Sequence, residues 1–331
     1  MTPVGVSAKR AAEARRVGFK GDAAAILLER VNSRFPPAGR GPALTESSNT
    51  MSDSTIDLHL HTTCSHGRFS PTRVVELAAK RGLSAIAITD HNTAAGLCEA
   101  RRAADMYGVE LIGGCEFSAE WQSLELHVLG LFLDERAPGF DAAMAQVAAL
   151  WRERLERMLE RVRRADGIEL TWDDLYYTGH VPPVSPVAEA IARKRGDMSA
   201  GEAFRAYLDE GKPGYVAPLV DLAWVARMVR DLGGLCVMAH PWAYNPEVVR
   251  FTEADYRGMK EMGVDGLECY HPGQPVEGLQ ARIELTRALG MVVSGGSDCH
   301  GAGPGQPIRM GSLGIPASLL DDMRGRIAQR G

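Results

Sequence analysis

Short apolar runs alternate with helix-patterned stretches along most of this chain, and no other feature constrains the fold as strongly. The runs that we interpret as strands are Ile56–Leu60, Ser84–Thr89, Val109–Glu116, Leu126–Leu133, Leu235–Ala239, Gly266–Cys269 and Met291–Ser294. Helical patterns separate them at Pro71–Arg81, Thr93–Tyr107, Leu222–Leu232 and Val276–Leu289. Strands that alternate with helices indicate a parallel α/β architecture, and seven of them favour a barrel over an open sheet.

Two segments fall outside this alternation. Residues 140–215 are dominated by helical patterns at Asp141–Ala165, Val187–Arg195 and Ser199–Asp209. We expect them to form a helical insertion that caps the active site of a barrel domain made of residues 55–139 and 216–331. The first 40 residues carry a net charge of +5, against −10 for the rest. We expect residues 1–54 to be a basic, disordered extension; a transit peptide or translation from Met51 are alternatives.

The composition excludes several classes of protein. Hydrophobic residues make up 45% of the 331 positions and charged residues 24%, which is typical of a globular protein. A net charge of −5 argues against a broadly basic surface for nucleic acid. No apolar run approaches the roughly 20 residues that span a bilayer. The six cysteines form no CxxC pair, so we expect no disulfide framework and a cytoplasmic protein. We also expect no membrane anchor and no obligate protein partner.

Histidines and carboxylates stand at the ends of the predicted strands. Eight of the nine histidines do so, namely His59, His61, His66, His91, His127, His240, His271 and His300. The carboxylates among them are Asp90, Glu116 and Asp298. The carboxyl ends of barrel strands form one face, which is the usual place for an active site. Imidazoles and carboxylates that converge there are ligands for divalent Zn, Mn or Fe, so the sequence predicts a metal centre.

These motifs resemble those of the PHP (polymerase and histidinol phosphatase) family. The matching segments are Asp57–His61, Thr89–His91, Glu116 with His127–Gly130, Ala239–Pro241 and Gly296–His300. The insertion and Gly211–Val216 resemble a branch that contains 3′,5′-nucleoside bisphosphate phosphatases and a 5′→3′ exoribonuclease. The resemblance implies a distorted (β/α)7 barrel and a metal-dependent phosphoesterase with two to three divalent ions.

The resemblance also implies how the ligands are divided among the ions. The ligands implied for the first metal are His59, His61, Glu116 and Asp298. Glu116 would bridge to a second metal, which would be completed by His127 and His240. The ligands implied for a third metal are His66, His91 and His300, although the branch often has Asp in place of His66. We expect Asp90 to orient an imidazole; direct ligation of a metal is the alternative. A hydroxide held between two metals would attack phosphorus, and His271 would contact the substrate or protonate the leaving oxygen.

The segment that should bind the substrate departs from the branch. An Arg-x-His element grips the substrate phosphate in that branch, and its nearest counterpart here is Pro183–Ser185. The candidate replacements are Lys212, His180, Arg68 and Arg193. Lys212 ranks first among them, because its Gly-Lys-Pro-Gly setting resembles the branch directly. We expect the substrate to be a phosphate monoester of a nucleotide, either a 3′,5′-bisphosphate nucleotide or the 5′ end of a short RNA.

Three other functions compete with this interpretation. A histidinol-phosphate-type or other small-molecule phosphatase is an alternative within the family, although the insertion points elsewhere. An amidohydrolase is disfavoured, because that class typically needs a lysine at a strand end and none of the six lysines closes a predicted strand. A non-catalytic metal-binding PHP module is the alternative outside enzymes; such modules often lose ligands, and this chain retains the full set.

Overall fold

The centre of the fold is one curved sheet of eight strands, seen in a computed structural model that describes residues 55–177, 182–244, 250–302 and 307–330. The strands are β1 Thr55–Leu60, β2 Leu83–Ile88, β3 Glu110–Trp121, β4 Leu124–Leu131, β5 Leu235–Met238, β6 Gly266–Tyr270, β7 Val292–Gly295 and β8 Ile315–Pro316. Their order in the sheet is β7-β6-β5-β4-β3-β2-β1-β8. The seven predicted strands correspond to β1–β7, while the two-residue strand β8 is additional.

The sheet is nearly closed into a barrel. Strands β1, β2 and β3 run parallel to one another, as do β5, β6 and β7. Beyond β7, Cys299 forms an isolated parallel bridge with Leu60 at the end of β1, which brings the first and seventh strands together. The short strand β8 pairs antiparallel with β1. The structure therefore has the barrel that the alternating pattern predicts.

Strand β4 departs from the all-parallel expectation, because it is antiparallel to both β3 and β5. A two-residue turn at Gln122 and Ser123 joins it to β3, and these residues have φ of 51° and 70°. Positive φ at both central residues gives the twist that a tight hairpin needs. Asn and Gly are the usual residues there, so Gln-Ser gave no hairpin signal in the sequence.

Nine α-helices are assigned within the described residues. They are α1 Pro71–Lys80, α2 Leu97–Tyr107, α3 Phe140–Asp166, α4 Ser185–Arg195, α5 Ala200–Ala203, α6 Leu222–Asp231, α7 Glu253–Glu261, α8 Leu279–Ala288 and α9 Leu319–Ala328. Helix α1 begins as the sequence predicts, because the Ser70 side chain accepts a hydrogen bond from the Arg73 N–H and proline occupies the first turn. Helix α8 begins three residues later than predicted, because Gly278 before it has φ of 87°.

Buried apolar side chains form three clusters. The largest fills the barrel and packs α6, α7 and α8 against it, and a second lies between the barrel and helices α1 and α2. The third lies entirely within residues 151–216, where α3, α4 and α5 pack on one another. All six cysteines are free, five of them buried. No helix in the described ranges is long and apolar enough to cross a bilayer.

Candidate metal centre

The predicted ligands meet at one end of the barrel. His59 and His61 lie at the end of β1, His91 follows β2, His240 follows β5, and Asp298 follows β7. Glu116 lies within β3 and His127 near the beginning of β4. Because β4 runs antiparallel to its neighbours, its beginning lies at the same edge as the carboxyl ends of the parallel strands. The reversed strand therefore still delivers its imidazole to the common face.

The two oxygens of Glu116 face different sets of imidazoles. Oε1 lies 3.0 Å from His127 Nδ1 and 3.2 Å from His240 Nε2. Oε2 lies 3.3 Å from His59 Nε2, 3.2 Å from His61 Nε2 and 3.1 Å from His91 Nδ1. The carboxylate is buried. A carboxylate between two sets of nitrogen ligands is the arrangement that bridges a pair of metal ions.

Asp298 completes the inner set of ligands. Its Oδ1 lies 3.4 Å from His59 Nε2 and 3.0 Å from His61 Nε2, so these two imidazoles face both Asp298 and Glu116. The ligand atoms of the four side chains all lie within 4.8 Å of one another. Two nitrogens and two carboxylate oxygens at that spacing can surround one cation, and they match the first-metal set implied by the resemblance.

A second group of imidazoles lies toward the surface. The nitrogens of His61, His66, His91 and His300 fall within 4.8 Å of one another, and His66 among them is exposed. The rings of His61 and His300 stack with their centroids 4.1 Å apart, and His66 and His300 are 4.2 Å apart. This group contains all three residues implied for a third metal and adds His61, which the sequence placed only with the first.

For His59 and His300, the hydrogen bond of one ring nitrogen indicates that the other nitrogen is bare, that is, carries no proton. Nδ1 of His59 lies 3.0 Å from a Glu268 oxygen and Nδ1 of His300 lies 2.9 Å from the Asp298 carbonyl, so each Nδ1 carries the proton. The Nε2 atoms of both rings are buried and have no hydrogen-bond partner among the described residues. A bare, buried nitrogen that faces carboxylates, as Nε2 of His59 faces Glu116 and Asp298, is what a metal site requires, so the inner residues fit a divalent ion.

His271 shows the opposite pattern. Its Nδ1 accepts a hydrogen bond from the Gly273 N–H at 3.0 Å, so in the neutral ring the proton is on Nε2. That Nε2 is buried, has no hydrogen-bond partner within the described part of the chain and lies 3.5 Å from Asp298 Oδ2. His271 therefore presents a donor to the centre and not a bare ligand nitrogen.

The charges of the site are strongly coupled. Burial opposes the ionisation of Glu116, but the surrounding imidazoles outweigh it and hold the pKa of this carboxyl well below its usual range. The pKa of Asp298 is depressed in the same way. Burial opposes protonation of His61, but Asp298 and Glu116 raise its pKa to about 9. Burial and the neighbouring His61 lower the pKa of His300 to about 4. The carboxylates are thus anionic at neutral pH, and a bound cation would replace the proton on His61.

The backbone is strained at two of these positions. His240 has φ of 34° and Asp298 has φ of 48°, which side chains other than glycine rarely adopt. Nearby, Gly296 packs so closely on β1 that an added Cβ would lie 2.2 Å from the Cβ of His59. Strain of this kind persists where the surrounding fold over-determines the conformation, and it concentrates at functional sites.

Asp90 does not hold an imidazole as expected. Its carboxylate accepts hydrogen bonds from the Thr62 N–H at 2.7 Å, from the Thr62 hydroxyl at 2.6 Å and from the Ser65 hydroxyl at 2.6 Å. Thr62 and Ser65 belong to the loop between β1 and α1 that carries His66. Asp90 therefore orients this loop, because its carboxylate is saturated by hydroxyl and amide donors.

The candidate phosphate-binding cations lie in different settings. Arg68 is exposed on the loop that carries His66, its N–H donates to the His300 carbonyl at 2.8 Å, and its guanidinium has no partner among the described residues. Lys212 is exposed in a turn, and its ammonium likewise has no partner in the described ranges. Arg193 donates to the Asp174 carbonyl and lies over the Tyr176 ring at 4.4 Å, so it is engaged elsewhere. His180 falls outside the described residues.

Two buried carboxylates were missed as site residues. Glu268 in β6 contacts His59 and His240. Asp57 in β1 accepts hydrogen bonds from the Ser297 N–H at 2.8 Å and the Gly311 N–H at 2.9 Å, which ties β1 to the chain after β7. Both are charged residues inside fully buried stretches of strand, and a charged residue among apolar neighbours, such as Glu268 between Leu267 and Cys269, is the signal that could have identified them.

Comparisons with known proteins agree with this geometry. Residues 57–211 match the PHP domain family. A 5′-3′ exoribonuclease of Haemophilus influenzae is 31% identical over 253 residues, which cover 74% of this chain and 89% of that protein. A 3′,5′-nucleoside bisphosphate phosphatase of Chromobacterium violaceum is 30% identical over 261 residues, which cover 76% and 88%.

A solved structure extends the likeness to the fold. A protein of Bifidobacterium adolescentis, described as a metal-dependent phosphoesterase, superposes with a TM-score of 0.67 at 28% identity, covering 82% of this chain and 96% of that one. Fold, site and relatives together define a hydrolase of phosphate esters. The chain belongs to the PHP family, and the predicted resemblance is confirmed.

Proposed function

We propose that this chain hydrolyses a phosphate monoester of a nucleotide at a centre of two to three divalent ions, which would be Mn, Zn or Fe. The observation that carries the proposal is the position of Glu116, whose two oxygens face different sets of imidazoles. The proposed ligands of the first ion are His59, His61, Glu116 and Asp298. Those of the second are Glu116, His127 and His240, and those of the third are His66, His91 and His300.

The chemistry follows from this ligand set. Held by these residues, divalent ions would supply a coordinated water whose pKa is lowered toward 7 and positive charge for the phosphate oxygens. The chain itself orients the phosphate between the ligand-bearing strand ends. It also supplies a proton from His271 Nε2, which faces the centre, for the leaving oxygen. Asp90 holds the loop of His66 in place.

The surroundings of the centre support a nucleotide as the substrate. Two of the relatives are named for activity on a nucleoside bisphosphate or on RNA, while a third, of Eggerthella lenta and 30% identical, is named a phosphoribosyl 1,2-cyclic phosphate 1,2-diphosphodiesterase. In this chain Arg68 lies two residues after His66, its backbone N–H bonds to His300, and its guanidinium has no partner among the described residues. A guanidinium binds phosphate in a bidentate manner. We assign the binding of the substrate phosphate to Arg68, with Lys212 as the alternative. Either residue would replace the Arg-x-His element that this chain lacks.

The helical segment supports a division into a barrel domain and an insertion that covers the centre. Residues 151–216 have an apolar cluster of their own, and α3 also packs beside the barrel residues Asn92, Phe117 and Ser118. Ser118 pairs with His127 across the β3–β4 ladder, so α3 stands near the ligands. We therefore assign residues 140–215 to a cap over the active site.

The test is metal analysis followed by hydrolysis assays. Purified protein loaded with Mn²⁺ should hydrolyse p-nitrophenyl phosphate, and His59→Ala should abolish this activity because it removes an inner ligand. A panel of 3′,5′-bisphosphate nucleotides, 5′-phosphorylated short RNA and histidinol phosphate then identifies the substrate class. Highest kcat/KM on histidinol phosphate would overturn the nucleotide assignment. Full metal content without turnover of any phosphoester would favour a non-catalytic module.

A further inference from the structure

Glu268 is a buried carboxylate to which the proposed mechanism gives no role. It lies in β6 with its side chain fully buried. Oε1 lies 3.0 Å from His59 Nδ1, and Oε2 accepts a hydrogen bond from the His240 N–H at 2.7 Å. In the proposed function, His59 and His240 serve different ions. One carboxylate therefore contacts a ligand of each.

Each contact has a consequence for the ligand it touches. A proton held on Nδ1 of His59 leaves Nε2 bare, and Nε2 is the atom that faces Glu116 and Asp298. An imidazole whose proton sat on Nε2 instead could not coordinate a cation there. The second contact anchors the N–H of His240, the residue with φ of 34°. A hydrogen bond to a charged acceptor contributes more than one to a neutral acceptor, so it can hold this strained backbone.

We infer that Glu268 is a positioning residue that sets the tautomer of His59 and the backbone of His240, and thereby couples the two inner metal positions. This inference rests on the proposed metal centre and goes beyond it, because Glu268 is not one of the ligands. A carboxylate is required, since both contacts need an acceptor. Glutamine has the same shape but one acceptor and one donor, so in either orientation it loses one of the two bonds.

The deciding variant is Glu268→Gln, measured by competition with a chelator and by the visible absorption of the Co²⁺-substituted protein. We expect metal affinity to fall by roughly 10–100-fold, which is the usual effect of losing such a partner. The Co²⁺ bands should also shift, because the His59 ligand is altered. The matched control is Glu99→Gln, since Glu99 also accepts from a backbone N–H and a side-chain hydroxyl, those of Thr72, away from the centre. The control should leave affinity and spectrum unchanged.

Two results would overturn the inference. Glu268→Gln with the affinity and Co²⁺ spectrum of the wild type would reduce Glu268 to a packing role. Independently of any variant, ¹⁵N-histidine spectra of the Zn²⁺-loaded wild type must place the His59 proton on Nδ1, and a proton on Nε2 would refute the proposal even if the variant failed to fold. Wild-type protein that binds no metal would instead contradict the proposed function itself, so the two failures are distinguishable.

Discussion

The ion pair between Arg154 and Glu125 should be the polar contact that most stabilises the attachment of the helical segment to the barrel. Arg154 lies on α3 with only 2% of its side chain exposed, and its guanidinium binds both oxygens of Glu125 in β4, at 2.7 and 2.5 Å. Its Nε also donates to the Val216 carbonyl at 2.8 Å. We expect Arg154→Met to leave the carboxylate and the carbonyl without these donors.

The magnitude follows from burial. Removing one partner of a buried ion pair costs about 3–5 kcal/mol, because the remaining charge stays desolvated. Glu125 keeps 26% of its side chain exposed, so water can partly solvate it and we expect the lower end, about 3 kcal/mol. For a protein of this size, with an unfolding entropy of about 2.1 cal/mol/K per residue, that corresponds to a fall in Tm of roughly 4–5 °C. The double variant Arg154→Met/Glu125→Gln should recover part of this loss, because no charge is left unpaired.

Urea denaturation and thermal unfolding of the wild type, both single variants and the double variant measure these changes. The matched control is Arg157→Met on the same helix, because Arg157 forms an exposed pair with Glu153 one turn away. Exposed pairs contribute about 0–1 kcal/mol, so the control should stay near the wild type. If Arg154→Met fell within about 1 kcal/mol of the control, the reasoning from burial would be refuted.

Three further outcomes are expected. Gly296→Ala should lower the free energy of unfolding by about 1–3 kcal/mol or more and abolish metal binding, because the new methyl group collides with the backbone of His59. Calorimetric unfolding and metal analysis check this. Gly258 lies in α7 with open space where a Cβ would be. Gly258→Ala should therefore raise the free energy of unfolding by about 0.5–1 kcal/mol, and a lower Tm would contradict this. Arg68→Ala should raise KM for a nucleotide substrate roughly 10-fold with metal content unchanged, as loss of one charged hydrogen bond predicts. If Lys212→Ala raised KM and Arg68→Ala did not, Lys212 would be the phosphate-binding residue instead.

The barrel and the convergence of most of the candidate ligands were predictable for the same reason. Strand ends are marked by a change from apolar to polar residues, and a parallel barrel brings all such ends to one face. That reasoning placed His59, His91 and His240 together although they are far apart in sequence. It did not place His127, which lies early in its strand and was assigned to the centre only by the family resemblance; the reversed direction of β4 brings it to the common edge.

What failed to be predicted depends on side-chain direction. Asp90 was expected to orient an imidazole, but its carboxylate turns to the hydroxyls of Thr62 and Ser65, and spacing along the chain does not encode that rotation. Glu268 was passed over because a carboxylate in the middle of a strand does not stand at a strand end. Its partner atoms come from β1 and from the end of β5, and only the closed sheet brings them together.

The candidate metal ligands on strands are held more rigidly by the fold than the candidate phosphate-binding residues on loops. We therefore expect the two groups to affect different kinetic parameters. Glu116 is paired on both sides, by the antiparallel ladder to Leu129 and by a parallel bridge to His91, so its carboxylate sits on a rigid strand. Arg68 and Lys212 lie on loops, and their side chains have no partner in the ranges that the structure describes. Positions on rigid strands hold ligand geometry more precisely than loops do. Substitutions on the strands should therefore alter metal binding and kcat, whereas substitutions on these loops should alter KM and substrate preference.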